Sequence, residues 1–176
     1  MINFRKQAGA SMIEIIVTIV IVAVGLLGVA SLQANTTKFL KIANLRADAT
    51  QAAYDLGDRM RANGAGVTSQ FYVYTTDYAT TIATLPTVPT ACKGATCTPL
   101  LVAQTDLAEW QRGLAKRLYG GAGYVNPVIV GGVTSGYDLI VMWKELNLTT
   151  VDPACPTGSP PAPGVGVRCF AIRFTP

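Results

Sequence analysis

The longest apolar run of the chain covers residues 15–32, in which only Thr18 and Ser31 are polar. As an α-helix, 18 residues span about 27 Å, close to the roughly 30 Å hydrocarbon core of a bilayer. The run is longer than the apolar part of a secretory signal peptide, and no small-residue cleavage site follows it. We therefore expect a membrane-spanning helix, with a buried helix of a soluble domain as the alternative.

Basic residues indicate the orientation of that helix. Arg5 and Lys6 precede the run, the next basic residue is Lys38, and Glu14 is the only charged residue between them. The positive-inside rule keeps the flank that carries Arg5 and Lys6 in the cytoplasm. The sequence thus predicts a single pass through a membrane, with the N-terminus in the cytoplasm and the C-terminal part outside.

Beyond the apolar run, the hydrophobic positions keep a helical spacing. They recur every three or four residues, at Phe39, Ile42, Leu45, Ala49, Ala53, Leu56 and Met60. No proline occurs before Pro86, and Asn63 with Gly64 provides a plausible helix end. We expect one helix over about residues 11–62, apolar on all sides over 10–33 and amphipathic over 34–63.

Residues 64–176 are expected to form a globular domain that packs on the amphipathic half. A stretch at 71–75 has strand character, and a short helix is predicted to begin at Asp106, with Glu109 at the capping-box position. The apolar side chains of this second helix share one face: Leu107, Trp110, Leu114 and Leu118. The glycines at 120–123 then end it.

Three strands are predicted after these glycines, at residues 124–130, 137–143 and 168–174, with a hairpin loop at 131–136. The middle strand alternates, so that its apolar residues occupy one face: Tyr137, Leu139, Val141 and Trp143. The predicted fold class is therefore α+β, a long N-terminal helix packed on a small antiparallel sheet.

The four cysteines all follow the apolar run, as expected for an oxidising compartment. Cys92 and Cys97 lie close together, and Cys155 and Cys169 are separated by a proline-rich stretch. We expect two disulfides in preference to a metal site. Of the three possible pairings, the local one (92 with 97, 155 with 169) is favoured because only short loops must close.

Composition narrows the function. The 176 residues contain no histidine, which excludes Ser-His and Cys-His nucleophiles and His-ligated metals. The formal charge of +4 suggests an anionic partner. Without residues 1–9, 12 basic and 10 acidic side chains remain, or +2, and the basic patch formed by Arg112, Lys116 and Arg117 is typical of a solvated helix face. We expect no catalysis, no cofactor, no metal and no nucleic-acid partner.

The segment Gly9-Ala10-Ser11-Met12-Ile13-Glu14, between basic residues and an apolar helix, resembles the processing site of type IV pilins and pseudopilins. The resemblance implies that a prepilin peptidase cuts between Gly9 and Ala10 on the cytoplasmic side and methylates the new amino terminus. A glycine before the cut lets an extended backbone approach the protease closely. Residues 1–9 would then be a leader, and Glu14 the fifth mature residue. Ala10 departs from the phenylalanine or methionine usual in the family.

Glu14 is a candidate functional residue on physical grounds as well. A carboxylate in the hydrocarbon region is costly unless it is paired. The resemblance implies that it attracts the amino terminus of a neighbouring subunit and sets the register of helices during assembly. The alternative is an uncleaved anchor in which Glu14 reaches the lipid headgroups.

Later segments resemble the PilV group of type IV pilus minor pilins. They are residues 25–28 followed by Leu32 and Gln33, the stretch Asp58-Arg59-Met60-Arg61-Ala62-Asn63, residues 110–121 and residues 141–143. As bare chemistry, Arg59 and Arg61 are expected at a solvated or domain-facing helix end.

This resemblance implies a pilin-like fold and a structural subunit that primes pilus assembly and supports adhesion and twitching motility. The implied partners are the prepilin peptidase, other minor pilins, the major pilin through residues 10–33, and inner-membrane lipid before assembly. Two alternatives remain: a minor pseudopilin of a type II secretion system, and a membrane-anchored periplasmic binding module.

Overall fold

The computed structural model describes residues 11–90, 97–145, 148–155 and 163–176. Gly9, Ala10 and Cys92 lie outside these ranges. The chain divides into two compact units, Met1–Ala43 and Asn44–Pro176. Its helices are α1 (Met12–Ala62), α2 (Gly64–Thr68), α3 (Tyr78–Ala83) and α4 (Pro99–Arg117), and its strands are β1 (Ala122–Val130), β2 (Val133–Lys144) and β3 (Val167–Phe174).

Helix α1 confirms the predicted helix over about residues 11–62. Its polar side chains do not interrupt it, because threonine hydroxyls donate to backbone carbonyls one turn earlier. Thr18 donates to the carbonyl oxygen of Ile15 at 2.8 Å, and Thr36 to that of Leu32 at 2.9 Å. These bonds satisfy the hydroxyls within the helix itself.

The predicted apolar stripe on α1 is confirmed only for its C-terminal part. In the second unit, small residues of α1 are fully buried, and Leu56 and Met60 join them in the core. Small side chains such as Ala52 allow the rest of the unit to approach the helix closely. Phe39, where the predicted stripe begins, belongs to the first unit and is 71% exposed.

The sheet of the second unit is antiparallel with the strand order β1-β2-β3. The hairpin between β1 and β2 turns at Gly131 and Gly132, both with positive φ, so the predicted loop at 131–136 was too long. Two residues of positive φ suit the right-handed twist of paired strands. Gly136, placed in that loop by the sequence, lies within β2, where a Cβ atom would come within 2.6 Å of the carbonyl oxygen of Phe174.

Both faces of the sheet are covered. The predicted face of β2, which includes Tyr137 and Trp143, belongs to the main core together with α1 and α4. Ile140 and Met142 on the opposite face form a second buried cluster, against which Tyr78 of α3 packs. The sequence pattern placed the apolar residues of this strand on one face only, so this second core was not predicted.

The helix predicted to begin at Asp106 begins seven residues earlier. Thr98 is its N-cap, with the hydroxyl accepting from the backbone N–H of Leu101 at 3.3 Å, and Pro99 is the first helical residue. Asp106 therefore lies in the helix interior. The predicted inner face of α4 is confirmed, since Trp110 and Leu114 are buried in the main core.

The segment 71–75 forms no strand of its own. Only Tyr74 pairs with the sheet, through an isolated bridge to Val125 with hydrogen bonds of 3.0 and 2.8 Å. Next to this bridge, the buried Gln111 side chain of α4 donates to the carbonyl oxygen of Gly123 at 2.7 Å and accepts from its N–H at 2.9 Å. The α+β fold class is thus confirmed, with the C-terminal part of a long, pilin-like N-terminal helix packed on a small antiparallel sheet.

Candidate functional site

The first described residues place Glu14 in the first turn of α1. The carbonyl oxygen of Ser11 accepts from the N–H groups of Glu14 at 3.0 Å and Ile15 at 3.3 Å, so the hydrogen bonds of the helix begin at Ser11. A carboxylate in the first turn is favoured by the helix dipole. Among the described residues Glu14 has no ion pair, and it is exposed. Its charge is therefore available to a group from elsewhere.

The helix that follows Glu14 exposes large apolar side chains around its whole circumference. Four consecutive residues, which point in directions about 100° apart, are each at least half exposed: Ile19, Val20, Ile21 and Val22. Among the described residues, α1 is the one helix long and apolar enough to cross a membrane, with a mean hydropathy of 2.9 over an 18-residue window and none of that window buried. Signal sequences also satisfy these criteria of length and composition. The long apolar helix fits membrane anchoring.

One of the two predicted disulfides falls within the described residues. Cys155 is bonded to Cys169, in agreement with the local pairing. Cys92 lies outside the described residues, so its bond to Cys97 stays a prediction. Because Cys155 and Cys169 are used by the disulfide, they are not metal ligands, and the described part of the chain contains no group of three or more residues suited to hold a metal ion.

Acidic groups surround the strand end that carries the disulfide. The guanidinium of Arg168 donates to both carboxylate oxygens of Glu145, at 2.8 and 3.2 Å. The carboxylate of Asp152 accepts from the N–H groups of Ala154 at 3.0 Å and Cys169 at 3.1 Å. The hydrogen bond to Glu145, together with the charges of both acids, raises the pKa of Arg168. This polar cluster fixes the loop before Cys155 on β3.

Arg59 connects α1 to α4, which is the domain-facing one of the two expected placements. Its guanidinium donates to Glu109 at 2.9 Å, Asp55 at 3.2 Å and Asp106 at 3.3 Å. Burial lowers the pKa of Arg59, but the hydrogen bond to Glu109 and the other two acids outweigh it, so the pKa is raised. The second oxygen of Asp106 accepts from the Tyr72 hydroxyl at 2.6 Å. The network holds the end of α1 in the fold.

The other arginine of the 58–63 stretch has a different role. Arg61 donates to Asp58 at 2.6 Å, and its guanidinium lies over the ring of Phe174, 5.2 Å from the centroid. Such cation–π contacts contribute roughly 0.5–1 kcal/mol at exposed sites. The side chain of Asn63 donates to the carbonyl oxygen of Pro99 at 2.8 Å. Arg61 and Asn63 of this stretch therefore make contacts that stabilise the second unit.

Buried tyrosines make the second unit sensitive to alkaline pH. Burial raises the pKa of Tyr78 from 10.0 to about 12, with a further contribution from Tyr119, and burial also raises the pKa of Tyr72 and Tyr137. The folded protein thus keeps phenol protons that the unfolded chain loses. Stability from Tyr78 is complete below pH 10 and is lost as the pH rises toward 12.

We expect the free energy of unfolding of the full chain in detergent to fall between pH 10 and 12. Tyr78→Phe should lower the free energy of unfolding at pH 8 by about 1 kcal/mol, because the Tyr78 hydroxyl donates to the carbonyl oxygen of Gly120. The free energy of unfolding of this variant should then fall less steeply between pH 10 and 12 than that of the unaltered protein. Denaturant unfolding at several pH values measures both, with Tyr54→Phe at an exposed site as the control. Identical slopes in Tyr78→Phe and the unaltered protein would contradict the assignment.

Residues 4–30 match the family described as the prokaryotic N-terminal methylation motif, which is of the prepilin type. The match covers the predicted cleavage position, Glu14 and most of the apolar run. It supports a type IV pilin-like or pseudopilin-like protein, and it implies processing by a prepilin peptidase and assembly with other pilins. A structural subunit, not an enzyme, is what this motif suggests.

Neither a curated protein nor a solved structure matches the chain. The similarity found therefore concerns residues 4–30, and the second unit is described from its structure alone.

Proposed function

We propose that the protein is a minor pilin of a type IV pilus, of the PilV group, that primes filament assembly and supports adhesion and twitching motility. The observation that carries the proposal is the match of residues 4–30 to the methylation motif, with Glu14 in the first turn of a long, exposed apolar helix. Resemblance of later segments, including residues 58–63, favours this group over other members of the superfamily.

In this proposal, the prepilin peptidase removes residues 1–9 and methylates Ala10. The new α-amine then belongs to Ala10, four residues before Glu14. A carboxylate and an amine in hydrocarbon can offset each other's desolvation, provided that they belong to adjacent subunits whose helices lie at the right height. Pairing of Glu14 with the amine of a neighbouring subunit would thus set the stagger of the helices.

In this proposal, the apolar surface of residues 10–33 contacts different surroundings before and after assembly. In the inner membrane it faces lipid, with the amino terminus in the cytoplasm and residues 64–176 in the periplasm. In the filament it packs against the helices of other minor pilins and the major pilin. The exposure of every large apolar side chain from Ile15 to Leu32 supports this exchange, because one surface must suit both surroundings.

Mass spectrometry of the protein extracted from membranes tests the proposal. We expect the mature chain to begin at a methylated Ala10 and to lack residues 1–9. Gly9→Val should leave the leader in place, because the added side chain blocks close approach of the peptidase to the backbone. Gly25→Ala is the matched control, since a Cβ atom there meets nothing within 4 Å, and it should be processed normally.

An intact Met1 in the unaltered protein would contradict the pilin proposal and favour an uncleaved, anchored binding module. The motif suits a minor pseudopilin equally well, so a second measurement separates the two systems. Deletion of the protein should remove surface pili if it serves a pilus, and should reduce export of secreted proteins while sparing pili if it serves a secretion system.

A further inference from the structure

A cavity of about 400 Å³ lies in the second unit, beside the disulfide between Cys155 and Cys169. Its walls come from three places: α1 contributes Arg46, the sheet contributes Trp143, Arg168 and Phe170, and the loop before Cys155 contributes Asp152. A cavity of this size accommodates a small organic molecule. It lies outside the processing and assembly segment, so its role is independent of the proposed function.

The charges around the cavity leave one cation without a partner. The two acids at this site, Asp152 and Glu145, accept hydrogen bonds from backbone N–H groups or from Arg168, as described above. Arg46 is exposed and forms no ion pair in the described structure, which contains all ten acidic residues of the chain. Arg168 keeps its Nη1 atom 3.6 Å from Asp152, beyond hydrogen-bond distance.

Trp143 adds a buried donor that is not satisfied. The side chain is 2% exposed, and its Nε1–H has no hydrogen-bond partner in the described part of the chain. The other tryptophan differs, since Nε1–H of Trp110 donates to the carbonyl oxygen of Ala52 at 2.8 Å. Buried donors without acceptors are rare in folded proteins, and Trp143 is one of the residues that line the cavity.

We propose that this cavity binds a carboxylate carried on an apolar body. The guanidinium of Arg46 matches the planar, bidentate geometry of a carboxylate. The rings of Trp143 and Phe170 provide an apolar wall for the rest of the ligand, and a carboxylate oxygen supplies the acceptor that the Trp143 indole lacks. A carboxylate is favoured over a cation, because Arg168 pairs with both acids near the cavity and the charge left without an ion pair is the positive one of Arg46.

The test uses the two indole N–H signals in the NMR spectrum of the full chain in detergent, labelled with ¹⁵N. Titration with 3-phenylpropionate should shift the Trp143 signal and leave the Trp110 signal in place, with a Kd on the order of 1 mM for a ligand of this size. The neutral amide of the same acid should bind about tenfold more weakly. Arg46→Gln should weaken binding of the acid about fivefold, whereas Arg117→Gln, which lies away from the cavity, should not.

The carboxylate can belong to a free organic acid or to the end of a peptide chain. A peptide that ends in phenylalanine, used as the free acid and as the amide, decides between these sources. Binding of the peptide acid supports recognition of a chain end, and binding of 3-phenylpropionate alone supports a small-molecule ligand.

Three results would overturn the proposal. They are equal affinity for acid and amide, no shift of the Trp143 signal, or equal shifts of both tryptophan signals, which indicates a general effect on the fold. Normal signal dispersion in Arg46→Gln checks that the variant is folded.

Discussion

The variant Glu14→Ala is expected to be processed and methylated normally but to be absent from filaments. In the proposed function the Glu14 carboxylate meets the amino terminus of a neighbouring subunit within hydrocarbon, where an unpaired charge costs about 3 kcal/mol. Without the carboxylate, the neighbouring amine enters the filament unpaired and the helices lose their register. The proposed cleavage lies before Glu14, between Gly9 and Ala10, so the mature mass should show the loss of residues 1–9.

Immunoblots of sheared filaments and of membranes measure the distribution of the protein. Glu14→Gln separates charge from size and should also fail to assemble. Asp58→Ala is the control, because Asp58 is an exposed acid on the same helix whose ion pair is with Arg61. Normal incorporation of Glu14→Ala would show that the pairing role is wrong, while an unprocessed Glu14→Ala would place the residue in peptidase recognition.

Gly123→Ala is expected to lower the free energy of unfolding by about 3 kcal/mol and the Tm by about 10 °C. An added Cβ atom would lie 2.1 Å from Cζ3 of Trp110, a ring that the core and a hydrogen bond to Ala52 hold in place. The backbone of Gly123 cannot retreat either, since both of its polar groups bond to the buried side chain of Gln111. Relief of the clash must therefore break one of these contacts.

Thermal unfolding of the full chain in detergent, followed by near-UV circular dichroism, measures this effect. Gly113→Ala is the matched control on α4. Its added Cβ atom would meet only the flexible end of Arg117 at 3.5 Å, and alanine stabilises a helix interior relative to glycine by up to about 1 kcal/mol. A change of less than about 0.5 kcal/mol in Gly123→Ala would contradict the close packing of Trp110 on this glycine.

The helix and the strands could be predicted because their signals are local. Continuous helical spacing and the absence of proline before Pro86 defined α1, and alternation defined β2. The start of α4 was missed because Asp106 and Glu109 satisfy the capping-box spacing inside a helix, while the true signal, Thr98 followed by Pro99, lies earlier. A spacing rule alone does not distinguish a cap from an interior pair.

Contacts between residues that are distant along the chain could not be predicted from the sequence. Tyr72, Arg59 and Asp106 meet across 34 and 47 positions, and no periodicity links them. Burial of Ile140 and Met142 was also missed, because it depends on α3 covering a second sheet face. The proposed processing segment could be found from sequence because its motif is made of neighbouring residues, whereas the cavity beside Trp143 is assembled from three separate parts of the chain.

The hydrogen bonds along β1 determine where the sheet could be extended. Outward-facing backbone groups of Gly123 and Val125 are taken by Gln111 and Tyr74, and the next outward position is Pro127, which has no N–H to offer. From Gly123 to Pro127 this edge is therefore closed to an added strand. Along β3, Asp152 takes the N–H of Cys169, and the alternation leaves Ala171 and Arg173 as the outward residues. Among the described residues, this edge offers outward backbone groups that a strand from another molecule could join, beside a charged arginine.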